Sequence, residues 1–191
     1  MALYVLTMSR ELELLRPSPE GHSGLKPDCE RCCGLCCVVP AFFASEDFPI
    51  DKQQGKPCPN LTMKFRCGIH DRLRAEGFRG CVAYDCFGAG QKVTQVTFRG
   101  RDWQQSPLIA TQMFEVFGVM RQLHALLFYL SEALKLQGAR PLHGELRLRL
   151  QELEGYSEES PDALLRLDVA SHKAEVNDLL LRVSDLVRAQ P

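Results

Sequence analysis

Apolar residues recur every three or four positions after residue 106, which is the spacing of one face of an α-helix. Ser106 suits an N-cap and Pro107 suits a first helical turn, so a long helix is predicted to begin there and to end near Gly138. Leu126 and Tyr129 widen the apolar face, which predicts burial on more than one side. The residues of this face are Phe114, Phe117, Met120, Leu123, His124, Leu127, Leu130 and Leu134.

Further helices are predicted after the long one. One covers Gly144–Leu153, and a second begins at Ser160-Pro161-Asp162. A last amphipathic helix runs from about Ser171 to Arg188. Its apolar stripe comprises Val176, Leu179, Leu180, Val183, Leu186 and Val187. Residues 106–191 therefore form a predicted helical region, folded as a hairpin or bundle.

The first half of the chain has a different pattern. Residues 1–28 form a leader that is irregular in its second half, with a short helical turn predicted at Glu11–Leu15. Residues 29–105 are rich in loops, with a strand predicted at Gln91–Phe98, a weaker strand at Leu61–Phe65 and a short helix at Cys67–Glu76. The expected fold class is mainly α with irregular loops.

Composition narrows the class of protein. The 191 residues are 45% hydrophobic and 25% charged, as in ordinary globular proteins, and the formal net charge is −1. This charge gives no reason to expect binding to nucleic acid or anionic lipid. No apolar run approaches the ~20 residues that cross a bilayer, and the apolar stretch Leu3–Leu6 is too short for a secretory signal. We therefore expect a cytoplasmic protein with no membrane association.

Cysteine usage is the exceptional feature. All nine cysteines lie between residues 29 and 86. In a reducing compartment, clustered cysteines indicate metal ligands or redox groups rather than structural disulfides. Setting Cys33 aside leaves eight candidate ligands, namely Cys29, Cys32, Cys36, Cys37, Cys58, Cys67, Cys81 and Cys86. Residues 29–105 are accordingly predicted to be a metal-binding module, stapled by metal and packed against the helical region.

Eight thiols allow more than one kind of centre. They could form two tetrahedral zinc sites, or one four-cysteine iron–sulfur cluster with another site or free thiols beside it. Two adjacent cysteines are hard to place on one ion. We therefore expect Cys36 and Cys37 to serve different sites or to bridge two metals.

The cysteine spacing resembles the CxxCxxxCC family of zinc- or iron-chelating proteins. Cys29, Cys32, Cys36 and Cys37 match its opening motif, and Pro57-Cys58-Pro59-Asn60-Leu61, Cys67-Gly68-Ile69-His70 and Cys81-x4-Cys86 match its later segments. This resemblance implies that all eight cysteines are metal ligands. Two departures are the additional Cys33 and His70, which stands where that family usually has an aromatic residue.

A second resemblance covers more of the chain. The stretch from CGLCCVVPAFF to TFRGRDW, with QMFEVFGVMRQLHALLFYL, is similar to the cysteine-rich N-terminal region of actinobacterial pentapeptide-repeat proteins. In those proteins a run of A(D/N)Lxx pentapeptides often follows, and the 191 residues contain no such run. The cysteine motif is also distantly similar to part of the flagellin lysine methylases, which implies that an enzymatic role is open.

Other motifs point to ordinary structural roles. Gly88–Lys92 lacks the spacing of a phosphate-binding loop, and its glycines are expected to let the backbone approach the thiols. His124 is expected to be a buried, hydrogen-bonded side chain. The basic residues between Lys64 and Arg79 are expected to be a solvated surface.

Three functions follow from these observations. The first is a cytoplasmic metal-binding protein that holds zinc or an iron–sulfur cluster and acts as a scaffold, an adaptor or a metal or redox sensor. It would bind a protein partner through the helical region. The second is an iron–sulfur-dependent enzyme, with a protein as one candidate substrate. The third is a nucleic-acid-binding zinc module. The evidence for it is weak, because the basic residues between Lys64 and Arg79 are few and lie on no recognised DNA-reading helix.

Overall fold

The structure is a computed structural model that describes residues 23–189. The helical turn predicted at Glu11–Leu15 lies outside these residues. The described chain is mainly helical with irregular loops, as predicted. Its α-helices are α1 (Leu35–Val38), α2 (Arg79–Ala83), α3 (Ala89–Gln91), α4 (Pro107–Lys135), α5 (His143–Ser157), α6 (Pro161–Arg166) and α7 (Val169–Arg188). Helix α3 continues as a π-helix over Lys92–Thr97, and 3₁₀ turns lie at Ser23–Leu25, Cys29–Arg31, His70–Arg72 and Gln137–Leu142.

Helix α4 is the centre of the fold. Its N-cap is confirmed, since the Ser106 hydroxyl accepts a hydrogen bond from the Ile109 amide at 3.2 Å. The helix ends at Lys135, and Gly138 lies in the 3₁₀ turn that follows. Buried side chains surround α4 on several sides, and α5, α6 and α7 all pack against it. Between residues 23 and 189, no helix is both long enough and apolar enough to span a bilayer.

The predicted helices of the C-terminal region are confirmed with small shifts in their ends. Helix α5 extends beyond the predicted Gly144–Leu153 at both ends. The Ser160 hydroxyl caps α6, and α7 begins at Val169, two residues before the predicted start. Arg182 joins α7 to α5 through a two-bond contact with Glu145 at 2.6 and 2.8 Å.

The strand predicted at Gln91–Phe98 is wrong, because this segment is helical. The Phe98 amide donates to the Val93 carbonyl five residues earlier at 2.9 Å, which is π-helical spacing. Val93 and Phe98 are thereby buried together against α4, while Val96 between them is exposed. Tertiary packing of two apolar residues thus overrides the strand preference of the Val- and Thr-rich sequence.

The two weaker predictions in the cysteine-rich region also need correction. Leu61–Phe65 forms no strand, since only Leu61 takes part in an isolated antiparallel bridge, with Cys67. Cys67–Glu76 contains a single 3₁₀ turn at His70–Arg72 instead of a helix. Both segments are held by short turn hydrogen bonds, which suit a region with few apolar side chains to bury.

The cysteine-rich region packs on the helical region through a small set of apolar side chains. Leu35, Val93 and Phe98 lie in the same buried cluster as the residues of α4. The Trp103 indole N–H donates to the Cys33 carbonyl at 2.9 Å. This bond holds the loop before α4 against the segment that carries Cys33. This shared core sets the position of the loops that carry the other cysteines.

Replacing a core residue of α4 should destabilise the whole fold. Leu130 is fully buried and Leu108 in the same helix is 81% exposed. We expect Leu130→Ala to lower the free energy of unfolding by about 2–5 kcal/mol, because it leaves a cavity. Leu108→Ala, the matched control, should change it by less than about 0.5 kcal/mol. Urea denaturation followed by circular dichroism measures both values, and equal losses would contradict this assignment of the core.

Candidate metal centre

Eight of the nine cysteines converge on one region of the structure. Cys36 lies at the centre, with its Sγ 4.0 Å from the Sγ of Cys37. Cys58 interacts electrostatically with Cys67 and Cys81. The cysteines that interact electrostatically with Cys36 itself are Cys29, Cys32, Cys67, Cys81 and Cys86. Residues from six separate segments of chain are therefore brought together.

Cys33 is the cysteine that the structure sets apart. Only 3% of its surface is exposed, and it belongs to the hydrophobic core. Its Sγ lies 3.4 Å from the Thr94 hydroxyl and 3.7 Å from the Met113 sulfur. Cys33 is thus a core side chain that packs against Met113 of α4.

Helix α1 presents the central pair of cysteines. Leu35 and Val38, the first and last residues of this short helix, are fully buried. Cys36 and Cys37 between them therefore lie on the opposite side of the helix. Gly34 precedes the helix with a φ of 76°, and a Cβ there would lie 2.9 Å from the Leu61 side chain. A glycine is therefore needed at this position for the helix to approach the loop that carries Cys58 and Cys67.

Backbone amides point at several of the sulfurs. The Gly34 and Leu35 amides donate to Cys32, the Gly88 and Gly90 amides to Cys86, and the Ile69 amide to Cys67. Gly90 also lies against the Cys32 sulfur, since a Cβ on Gly90 would be 2.6 Å from that atom. Amide hydrogen bonds of this kind stabilise thiolates, and they accompany thiolate ligands in metal centres.

Several thiols of the cluster have raised pKa values. Burial raises the pKa of Cys32 to about 12 and that of Cys81 to about 11, and neighbouring thiolates add to both effects. The hydrogen bond with Cys37, followed by burial, raises the pKa of Cys36. Without a cation these thiols are protonated at neutral pH. A bound metal would replace the protons and offset the mutual repulsion of the thiolates.

Two basic side chains already lie beside the cluster. Lys52 is only 5% exposed, and its ammonium donates to the carbonyls of Val38, Pro40 and Gln53 at 2.8, 2.6 and 3.2 Å. It interacts with the thiols of Cys36, Cys37, Cys58 and Cys81. Arg66 interacts with Cys29 and donates to the Cys32 carbonyl at 3.4 Å. No local pattern in the sequence marks Lys52, because only the fold buries it.

The other singled-out residues have structural partners or lie at the surface. His124 is buried as predicted, with its Nδ1 2.7 Å from the Phe87 carbonyl oxygen, and burial lowers its pKa. His70 is exposed at the start of its 3₁₀ turn. The Asp85 carboxylate accepts from the Phe87 amide at 2.6 Å. Among the basic residues after Lys64, Arg72 pairs with Glu76 at 3.8 Å.

The donor set suits a thiophilic metal, although the sulfurs are not closed around one point. Over residues 23–189, no three Cys, His, Asp or Glu side chains are placed so that they could hold an ion. The sulfurs of Cys36 and Cys37 are 4.0 Å apart. Thiolates select zinc, copper(I) and iron–sulfur clusters over hard cations.

Comparison with known proteins identifies one related chain without assigning a role. This chain is 52% identical over 169 residues to YybG, an uncharacterized protein of Bacillus subtilis (strain 168). The alignment covers 88% of this chain and 61% of YybG, so the chain spans about three fifths of the length of the curated relative it matches. No family model matches the chain. No solved structure matches it.

A methyl group at Gly90 should disturb the thiol cluster directly. Gly90→Ala would force the Cys32 sulfur to move, since the new Cβ would lie 2.6 Å from it. We expect faster alkylation of Cys32 by iodoacetamide and a loss of about 1–3 kcal/mol in stability. Gly118→Ala is the control, because a Cβ added to Gly118 in α4 would meet open space within 4 Å. Equal alkylation rates in the two variants would contradict the contact between Gly90 and Cys32.

Proposed function

We propose that this protein binds a thiolate-ligated metal, either zinc or an iron–sulfur cluster, and acts as a scaffold, an adaptor or a metal or redox sensor. The observation that carries the proposal is the convergence of eight cysteines from six segments around Cys36, with Cys33 left in the core. The proposed ligands are Cys29, Cys32, Cys36, Cys37, Cys58, Cys67, Cys81 and Cys86.

The construction of the cysteine-rich region supports a bound metal. Between Pro40 and Gly77 the buried residues are Lys52 and Cys58, so this segment has almost no apolar core among the described residues. Segments of this kind take their folding energy from metal–ligand bonds. The amide donors to Cys32, Cys67 and Cys86 would stabilise the thiolates once the metal is bound. The proposal places the protein in a reducing compartment such as the cytoplasm.

A protein partner completes the scaffold or adaptor role. We place its binding on the helical region, where Leu148 of α5 and Leu181 of α7 are 64% and 63% exposed. Both lie on helices that are well packed on their other sides, so binding would require little rearrangement of the fold.

An open cavity favours the second candidate function, an iron–sulfur-dependent enzyme. The cavity measures about 300 Å³ and lies beside the segment that carries Cys29 and Cys32. Its walls include Arg31, Lys92 and His124. Arg31 lies between Cys29 and Cys32 in the sequence, so a small molecule bound there would lie near the segment that carries these two cysteines, although none of the nine cysteines lines the cavity itself.

Metal content should depend on the clustered cysteines and not on Cys33. We expect anaerobically purified protein to contain zinc, or iron with matched sulfide. Cys33→Ala should keep this content and lose about 1 kcal/mol of stability. Cys36→Ser, which removes the same number of thiols, should lose at least half of the metal. Elemental analysis per chain distinguishes them, and a metal-free wild type or equal metal content in both variants would refute the proposal.

Removing the metal should loosen one half of the molecule and spare the other. We expect a chelator to increase tryptic cleavage after Lys64, Arg72 and Arg74, because residues 40–77 have little core of their own. Cleavage after Arg147 and Arg166 should be unchanged, since α5 and α6 pack on α4. Timed proteolysis with mass spectrometry measures both. Unchanged cleavage throughout would show that no metal supports the cysteine-rich region.

A further inference from the structure

We propose that the eight thiols form two separate four-cysteine metal sites that meet at the adjacent Cys36 and Cys37. The first, called site 1, consists of Cys29, Cys32, Cys36 and Cys86. The second, called site 2, consists of Cys37, Cys58, Cys67 and Cys81. This inference rests on the proposed function and assigns each ligand to one of two metals.

Backbone and side-chain hydrogen bonds hold the segments of site 1 together. Gln91 accepts from the Asp28 amide at 3.0 Å and donates to the Lys26 carbonyl at 2.7 Å. Gln95 donates to the Arg31 carbonyl at 2.8 Å. The turn that carries Cys29 and Cys32 is therefore fastened to the helical segment that follows Cys86.

One close contact and several electrostatic interactions link the members of site 1. Gly90 lies against the Cys32 sulfur and donates its amide to Cys86. Cys29 interacts electrostatically with both Cys36 and Cys86. Cys36 follows Cys32 by four residues and thus completes the group from the start of α1.

A different set of hydrogen bonds builds site 2. The Cys58 amide donates to the Cys37 carbonyl at 2.9 Å, which joins the second loop to α1. The antiparallel bridge between Leu61 and Cys67 folds that loop back on itself. Cys67 interacts with Cys37 and Cys58, and Cys81 interacts with Cys58 and Cys67. Both also interact with Cys36 at the junction.

The junction follows from helix geometry. Consecutive residues of an α-helix point about 100° apart. Cys36 and Cys37 both lie on the side of α1 away from the buried Leu35 and Val38, with their sulfurs 4.0 Å apart. Such a pair can direct one thiolate to each of two neighbouring centres. Two adjacent cysteines can thereby each bind a different metal, whereas binding both to a single ion would strain the backbone between them.

Each site also has its own cation. Arg66 interacts with Cys29 of site 1. The buried Lys52 interacts with three members of site 2, Cys37, Cys58 and Cys81, and with Cys36 at the junction. A four-thiolate site with a divalent metal carries a net charge of about −2. One basic side chain beside each site would partly compensate that charge.

Four serine variants test the division of the ligands. Cys29→Ser and Cys86→Ser remove site 1 ligands, and Cys67→Ser and Cys81→Ser remove site 2 ligands. Each chain is purified anaerobically with its own metal. Metal per chain is measured, and alkylation by iodoacetamide is mapped on peptides. Circular dichroism checks that α4–α7 remain folded in every variant.

Two patterns of protection are expected. Both site 1 variants should keep about half of the wild-type metal and expose Cys32 while Cys58 stays protected. Both site 2 variants should also keep half, and should expose Cys58 while Cys32 stays protected. If any single variant loses all metal and all protection, or if variants of one site differ from each other, the division is wrong and the proposed function stands. A wild type without metal overturns the proposed function as well.

Discussion

The structure depends on one electrostatic constraint, which is that eight thiols occupy a small region with few apolar neighbours. Burial and mutual repulsion both favour the protonated thiols, as the raised pKa values of Cys32 and Cys81 show. Lys52 and Arg66 supply only two nearby positive charges. A metal cation is the group that would satisfy the thiolates and stabilise the loops at the same time.

Helix α4 connects the cysteine-rich region to the rest of the molecule. The cysteine-rich loops reach it through Leu35, Val93 and Phe98, and the C-terminal helices pack on its other sides. The core position of Cys33, directly after Cys32, ties the start of the thiol cluster to Met113 of α4. Binding or loss of the proposed metal would therefore act on the same core that positions the helical region, which is what the proposed sensor or adaptor role requires.

The helical half was predictable because its apolar residues follow the helical period and its N-caps are ordinary ones, as at Ser106 and Ser160. The separation of the eight clustered cysteines from Cys33 was predictable from their spacing, and their role as metal ligands stays a prediction. Gln91–Phe98 was misjudged because its Val and Thr residues favour a strand until Val93 and Phe98 are buried against α4. Lys52 gave no sign in the sequence, since only the fold brings its ammonium to the carbonyls of Val38, Pro40 and Gln53.

The pairing of ligands also lay beyond sequence reasoning, because spacing alone cannot tell which loops fold onto which. The proposed grouping rests on contacts such as those of Gln91 and the bond between the Cys58 amide and the Cys37 carbonyl. Both are long-range contacts whose partners are separated by loops of irregular structure. Local patterns therefore predict which residues are candidate ligands, whereas the proposed grouping depends on tertiary hydrogen bonds.

X-ray absorption at the zinc and iron edges of anaerobically purified protein tests the central claim most directly. The account predicts that a metal is present and that sulfur atoms at about 2.3 Å are its nearest neighbours. An additional iron–iron distance would identify a cluster, and its absence with zinc would identify closed thiolate sites. A metal surrounded mainly by oxygen or nitrogen, or a protein without metal, would contradict the account.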